Sequence, residues 1–143
     1  MGFGFFLLFL AGIALVMLQG REMARKNMPA GGATMTGQEW RPMIIGTSEM
    51  PDDSGMYVLF EVDGSIKGNG GCNNFFGSLE ETDNGVVVGH LGSTRMACPG
   101  EIMDRETAFM AALQEARRFE LGENSLQLLG EKNELLAELV TTP

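Results

Sequence analysis

The hydrophobic and polar positions divide this chain into two unlike parts. Residues 2–18, "GFGFFLLFLAGIALVML", run for 17 positions without a charge, at the short end of what spans a bilayer as a helix. The run predicts an N-terminal hydrophobic helix within residues 1–20. It contacts the membrane through residues 2–18, either as an uncleaved anchor or as a signal segment. A secretory signal would carry a charged residue ahead of the run and a small-x-small site closing it, and neither stands there. Arg21, Glu22, Arg25 and Lys26 follow. Residues 21–38, including "NMPAGGATMTG", are small, Gly-rich and without period, as in a flexible linker.

From residue 39 to residue 143 the pattern changes to short apolar runs punctuated by turns. "WRPMIIG" (40–46) is an apolar run with a proline near its start, suited to a first or edge strand. "MYVLFEV" (56–62) is β-branched and aromatic, and Asp63-Gly64 turns it into a return strand, "SIKGNG". "GSLEETDNGVVVGHL" reads as a further hairpin turned at Asp83-Asn84-Gly85. Between Glu101 and Arg118 the period becomes helical, with Ile102, Phe109, Leu113 and Ala116 on one face. Pro99-Gly100 marks the helix start. Glu101 and Asp104 suit its positive end and Arg117-Arg118 its negative end. "RFELG", "SLQLLG" and "ELLAELV" complete the pattern as three closing strands. The expected fold is α+β: an antiparallel sheet of about seven or eight strands, curled around or packed on one helix.

Charge narrows the partners. From Gly37 onward, 7 basic residues face 18 acidic ones, a net charge of −11. Such a domain repels phosphate backbones, so no nucleic-acid partner is expected. His90 is the single histidine, which removes most imidazole-based catalysis and metal chemistry. No cofactor and no metal are expected.

The conspicuous stretch is "GNGGCNNFFG", residues 68–77. A phosphate-binding loop needs a helix N-terminus after its glycines. Here two asparagines, two phenylalanines and a further strand follow, with no Lys-Ser/Thr. A turn requiring positive φ accounts for the glycines better. Cys72 as a nucleophile would want a base, and only His90 is available. Cys72 and Cys98 are too few for a zinc site and too far apart for a C-x-x-C pair. A single disulfide is the simplest reading outside the cytoplasm; two buried free thiols, or a catalytic or metal role, remain the alternatives. Ser93-Thr94-Arg95 either binds an anion or satisfies backbone groups ahead of the helix, and the second fits these residue types better.

Taken together, these motifs resemble the META (HslJ-like) domain family over Trp40 to about Val140. "IKGNGGCNNFFG" is similar to its Gly-x-Gly-Gly-Cys-Asn-x-x-x-Gly signature and "GSTRMACP" to its Ser/Thr-x-Met-Ala-Cys segment. Glu106 stands where the helix usually carries an acidic residue, and "LQLLGEKNELLAEL" resembles the closing hairpin. The resemblance implies a small antiparallel, barrel-like β-structure packed with one helix. It implies a structural signature of Gly68, Gly70, Gly71, Asn73, Gly77, Ser93, Thr94, Met96 and Glu106, with Cys72 facing Cys98 and their Cα atoms within about 7 Å.

Members are exported or membrane-attached and are linked to stress and toxic-compound tolerance, with no established enzymatic activity. Many carry a lipidated cysteine after the hydrophobic run, where this chain has Arg21. The expectation is therefore a non-catalytic domain, tethered to the cell membrane and facing the periplasm, that acts through binding or assembly. Its protein or small-molecule partner is not legible. A thiol enzyme or redox protein using Cys72 and Cys98, or a small-ligand carrier, are the alternatives.

Overall fold

The computed structural model describes residues 34–141. The expected N-terminal helix, and the linker up to residue 33, lie outside the described residues. The end of the expected linker already packs on the domain: Gly37 N–H donates to Phe60 O (2.9 Å) and the Trp40 indole to Met35 O (2.8 Å).

The chain runs β1 (Glu39–Ile45), β2 (Ser48–Glu49), β3 (Tyr57–Phe60), β4 (Ser65–Asn69), β5 (Asn74–Thr82), β6 (Gly85–Val88) and β7 (Gly92–Ser93). Helix α1 (Gly100–Glu115) then precedes β8 (Arg118–Leu121), β9 (Ser125–Leu129) and β10 (Leu135–Thr141). Every strand pair is antiparallel. The sheet order is β6-β5-β4-β3-β1-β10-β9-β8, with β2 added to β1 and β7 to β5. The two ends of this order approach one another, where Val86 N–H donates to Arg117 O (2.9 Å). The result is a nearly closed, barrel-like sheet with one helix, an α+β architecture.

Alternation along the strands fills the interior. Trp40, Val58, Phe60, Ile66, Phe75, Leu126, Leu128, Ala137 and Leu139 are all buried. Phe109 and Leu113 of α1 pack on them, Phe109 meeting Phe75 edge-on at 5.8 Å. Each such large side chain contributes about 1.5–3 kcal/mol by leaving water.

β1 is the first strand, as expected, and lies centrally in the sheet, flanked by β3 and β10. Pro42 is tolerated there because β3 covers only Glu39 and Trp40, β2 covers only Ile44 and Ile45, and the register with β10 shifts between Pro42 and Ile44. Two expectations need correction. The described residues form ten strands, because two-residue pairings at β2 and β7 are too short to leave a periodic signal. Helix α1 ends at Glu115, not Arg118. Arg117 still serves that end, its Nη1 donating to Gln114 O and Ala116 O at 2.9 Å each, while Arg118 opens β8.

Candidate functional site

The glycine-rich stretch turns β4 into β5. Gly70 N–H donates to Asn73 O (2.9 Å), and Gly71 occupies φ +106°, a region that a side chain would strain. Asn69 fixes the same turn from its flank, accepting from Gly71 N–H (2.7 Å) and donating to the Asn74 side chain (2.9 Å). A strand follows where a phosphate-binding loop would place a helix.

The turn directs its free N–H groups at α1. Glu106 Oε2 accepts from Cys72 N–H (3.1 Å) and Asn73 N–H (2.6 Å), and Oε1 accepts from Asn73 Nδ2 (2.8 Å). Asn73 then reaches the connection between β7 and α1. Its Oδ1 accepts from Met96 N–H (2.6 Å) and the Thr94 hydroxyl (3.0 Å), and Nδ2 also donates to Met96 O (3.2 Å). Both amide hydrogens and both carbonyl lone pairs of Asn73 are thereby used. Thr94 Oγ1 accepts from Asn74 N–H (3.1 Å), so this hydroxyl satisfies backbone. Asn73 and Glu106, 3% and 4% exposed, are the two buried polar side chains of the described residues. Together they form one fully bonded latch.

The disulfide Cys72–Cys98, Cα–Cα 6.1 Å, ties the same turn to the same connection. Cys72 lies in the β4–β5 turn and Cys98 in the segment before α1, so neither occupies a strand. Both cysteines are bridged and no free thiol remains to act as a nucleophile.

The sequence-predicted residues divide by role. A methyl group at Gly70 would overlap the Glu106 side chain, so glycine here permits the contact between turn and helix. Gly68 admits the Phe75 ring and Gly77 the Leu91 side chain by the same logic. Met96 contributes only backbone to the latch, and the residue is 57% exposed. Ser93 pairs with Phe75 at the edge of β5 and takes no side-chain part in the latch. His90 is exposed and outside the network. No group of three or more His, Cys, Asp or Glu that could hold a metal occurs among the described residues. Sequence reasoning missed Asn69 and Asn74 as turn-fixing residues, although both stand within the stretch it singled out.

The META domain profile matches residues 33–142. The chain belongs to the META domain family. No curated protein is significantly similar to it. An NMR structure of a protein from Burkholderia xenovorans is 21% identical with a TM-score of 0.61, covering 76% of this chain and 83% of that one. The crystal structure of a DUF4847 family protein from Bacteroides vulgatus is 16% identical with a TM-score of 0.55, covering 74% and 93%. Likeness at these identities is one of fold. In this META domain the signature glycines, Asn73 and Glu106 act as internal architecture, holding a turn, a connection and a helix together.

Proposed function

We propose that this META domain is a non-catalytic binding module of the bacterial envelope, tethered to the cytoplasmic membrane through residues 2–18 and facing the periplasm. There it serves tolerance of stress or toxic compounds. The Cys72–Cys98 disulfide carries the reading, because such bridges persist in oxidising compartments. The uncharged N-terminal run supports it, and the internal use of every polar group in the latch favours structure over chemistry. Arg21, Arg25 and Lys26 oppose it, since positive charge is retained on the cytoplasmic side. The deciding experiment is a topology reporter fused after Pro143. Activity on the periplasmic side is expected, and activity confined to the cytoplasm would overturn the orientation. A redox role is separated by thiol alkylation of the native protein. A structural pair resists labelling until reduced and unfolded, whereas a working thiol labels quickly. A carrier that used the barrel interior would have to displace Trp40, Phe60, Phe75 and Phe109, each at most 2% exposed; binding is therefore assigned to the outer surface.

A further inference from the structure

Beside the latch the turn borders an open cleft of about 220 Å³. Half-buried Ile102 lines it with apolar surface over buried Met56, and Asp53 and Arg105 stand on it with opposite charge. These two charges form no ion pair with each other: Arg105 reaches Glu101 at 3.4 Å, a contact to a side chain 88% exposed. An ion pair so exposed is worth little and yields readily. Gly71 keeps the space clear. A Cβ there would stand 3.5 Å from Met56 and Ile102 and 3.6 Å from Ser54 O, inside the cleft, and φ +106° excludes a side chain without strain.

The walls are fixed before any ligand arrives. The loop carrying Asp53 and Ser54 is pinned by Ser54 N–H to Pro51 O (3.1 Å) and by Arg41 Nη1 to Asp52 O (3.0 Å). The opposite wall is the turn that Glu106 and the disulfide hold. Pre-formed walls spare a ligand the cost of ordering them.

We propose that this cleft binds a small zwitterion with an apolar body, of the class of a free apolar amino acid. Its carboxylate pairs with Arg105, its ammonium with Asp53, and its side chain covers Ile102. At about 30 Å³ per water molecule, the open cleft has room for roughly seven waters, enough to seat most of a molecule the size of leucine. The inference deepens the proposed binding role and is independent of the compartment in which it operates.

The test is a titration of the full chain, isotopically labelled and held in detergent micelles, with leucine as probe, followed by amide chemical shifts. Leucinamide, lacking the carboxylate, and 4-methylpentanoate, lacking the ammonium, run in parallel. The expected result is saturable shifts at Asp53, Ser54, Gly71 and Arg105 with a Kd on the order of 1 mM. Each half-charged analogue and each of Arg105→Gln and Asp53→Asn should bind about tenfold more weakly, while spectra elsewhere remain native. Equal shifts from all three probes, leucine binding unchanged in both variants, or no saturable shift at these amides would overturn the site. A periplasmic reporter with no shifts sinks this inference alone; saturable shifts with a cytoplasmic reporter sink only the orientation.

Discussion

The two sides of the barrel are held together by different physics. On the β1–β10–β9 side, backbone ladders carry the sheet and the inward positions are filled by Ile45, Leu126, Leu128, Ala137 and Leu139. Among the described residues, the one hydrogen bond from a core side chain there is that of the Trp40 indole to Met35 O. On the β4–β5 side, a turn, an irregular connection and α1 meet around Asn73, Glu106 and the disulfide. Apolar packing tolerates a change of side-chain shape at constant volume, provided the new side chain is also apolar. A buried hydrogen-bond network does not, because each donor left over bears its full desolvation cost. The difference predicts which substitutions each side survives.

The largest expected effect is at Glu106. Glu106→Leu strands three buried donors, the N–H groups of Cys72 and Asn73 and the Asn73 amide. At roughly 1–3 kcal/mol for each orphan, the loss should fall at about 3–9 kcal/mol. Glu106→Gln retains the shape but turns an amide donor toward one of those donors, so about 2 kcal/mol or more should still be lost. Leu128→Met, on the other side, should cost less than about 1.5 kcal/mol. Urea denaturation measures all three. If Glu106→Gln proves as mild as Leu128→Met, the contrast between the two sides disappears.

Next is the disulfide. The bridge closes a loop with a sequence separation of 26, and in the chain-entropy model this stabilises by roughly 3–4 kcal/mol. Replacing both cysteines by serine should lower the melting temperature under oxidising conditions and change little with reductant present. Equal losses in both conditions would mean that the cysteines act as buried apolar groups, and the bridge would contribute nothing through the unfolded chain.

These outcomes bear on how much of the molecule could be read in advance. The ordinary side was legible because alternation and turn chemistry are local. Glu131-Lys132-Asn133 turns β9 into β10 with Asn133 at φ +61°, as its residue types suggest. The central place of β1 was not legible, because the setting of Pro42 depends on how far β2 and β3 extend along β1, which is a property of partners and not of the strand itself. The latch residues were visible only through family likeness. Glu106 bonds a turn 33 and 34 residues earlier, and no periodicity in either segment encodes that pairing. Met96 shows the same limit from the other direction: its residue type stands out, yet its backbone does the bonding.

A smaller effect sharpens the comparison at the glycines. Gly71→Ala places a side chain at φ +106° and should cost about 1–3 kcal/mol. Gly46 has φ +61°, and a Cβ there would meet nothing within 4 Å. Gly46→Asn should therefore cost under about 1 kcal/mol, since asparagine tolerates that region. Similar costs at both positions in thermal melts would show that the latch turn is no more constrained than an ordinary loop.

The smallest effect lies far from the latch, in the β3–β4 hairpin. The Ser65 side chain and the Ser65 backbone N–H (2.8 Å) hydrogen-bond the Asp63 carboxylate and, with Lys67 nearby, hold its carboxyl below the usual 3.8. A carboxylate whose folded value is depressed stabilises above its unfolded value, and that stability is lost as pH falls through the folded value. The contribution should therefore be constant from neutral pH down to about pH 5 and fade in stronger acid. Many other carboxylates titrate over the same range, so the useful quantity is the difference between wild type and Asp63→Asn. The wild type should melt slightly higher at pH 7, and the gap should close as the pH is lowered below the ordinary carboxylate value. Because Asp63 is fully exposed, added salt should weaken only the Lys67 part of the gap and leave the Ser65 part in place. A gap that stayed constant through acid would mean that the turn accepts asparagine and aspartate on geometry alone, and that charge contributes nothing on this side of the barrel.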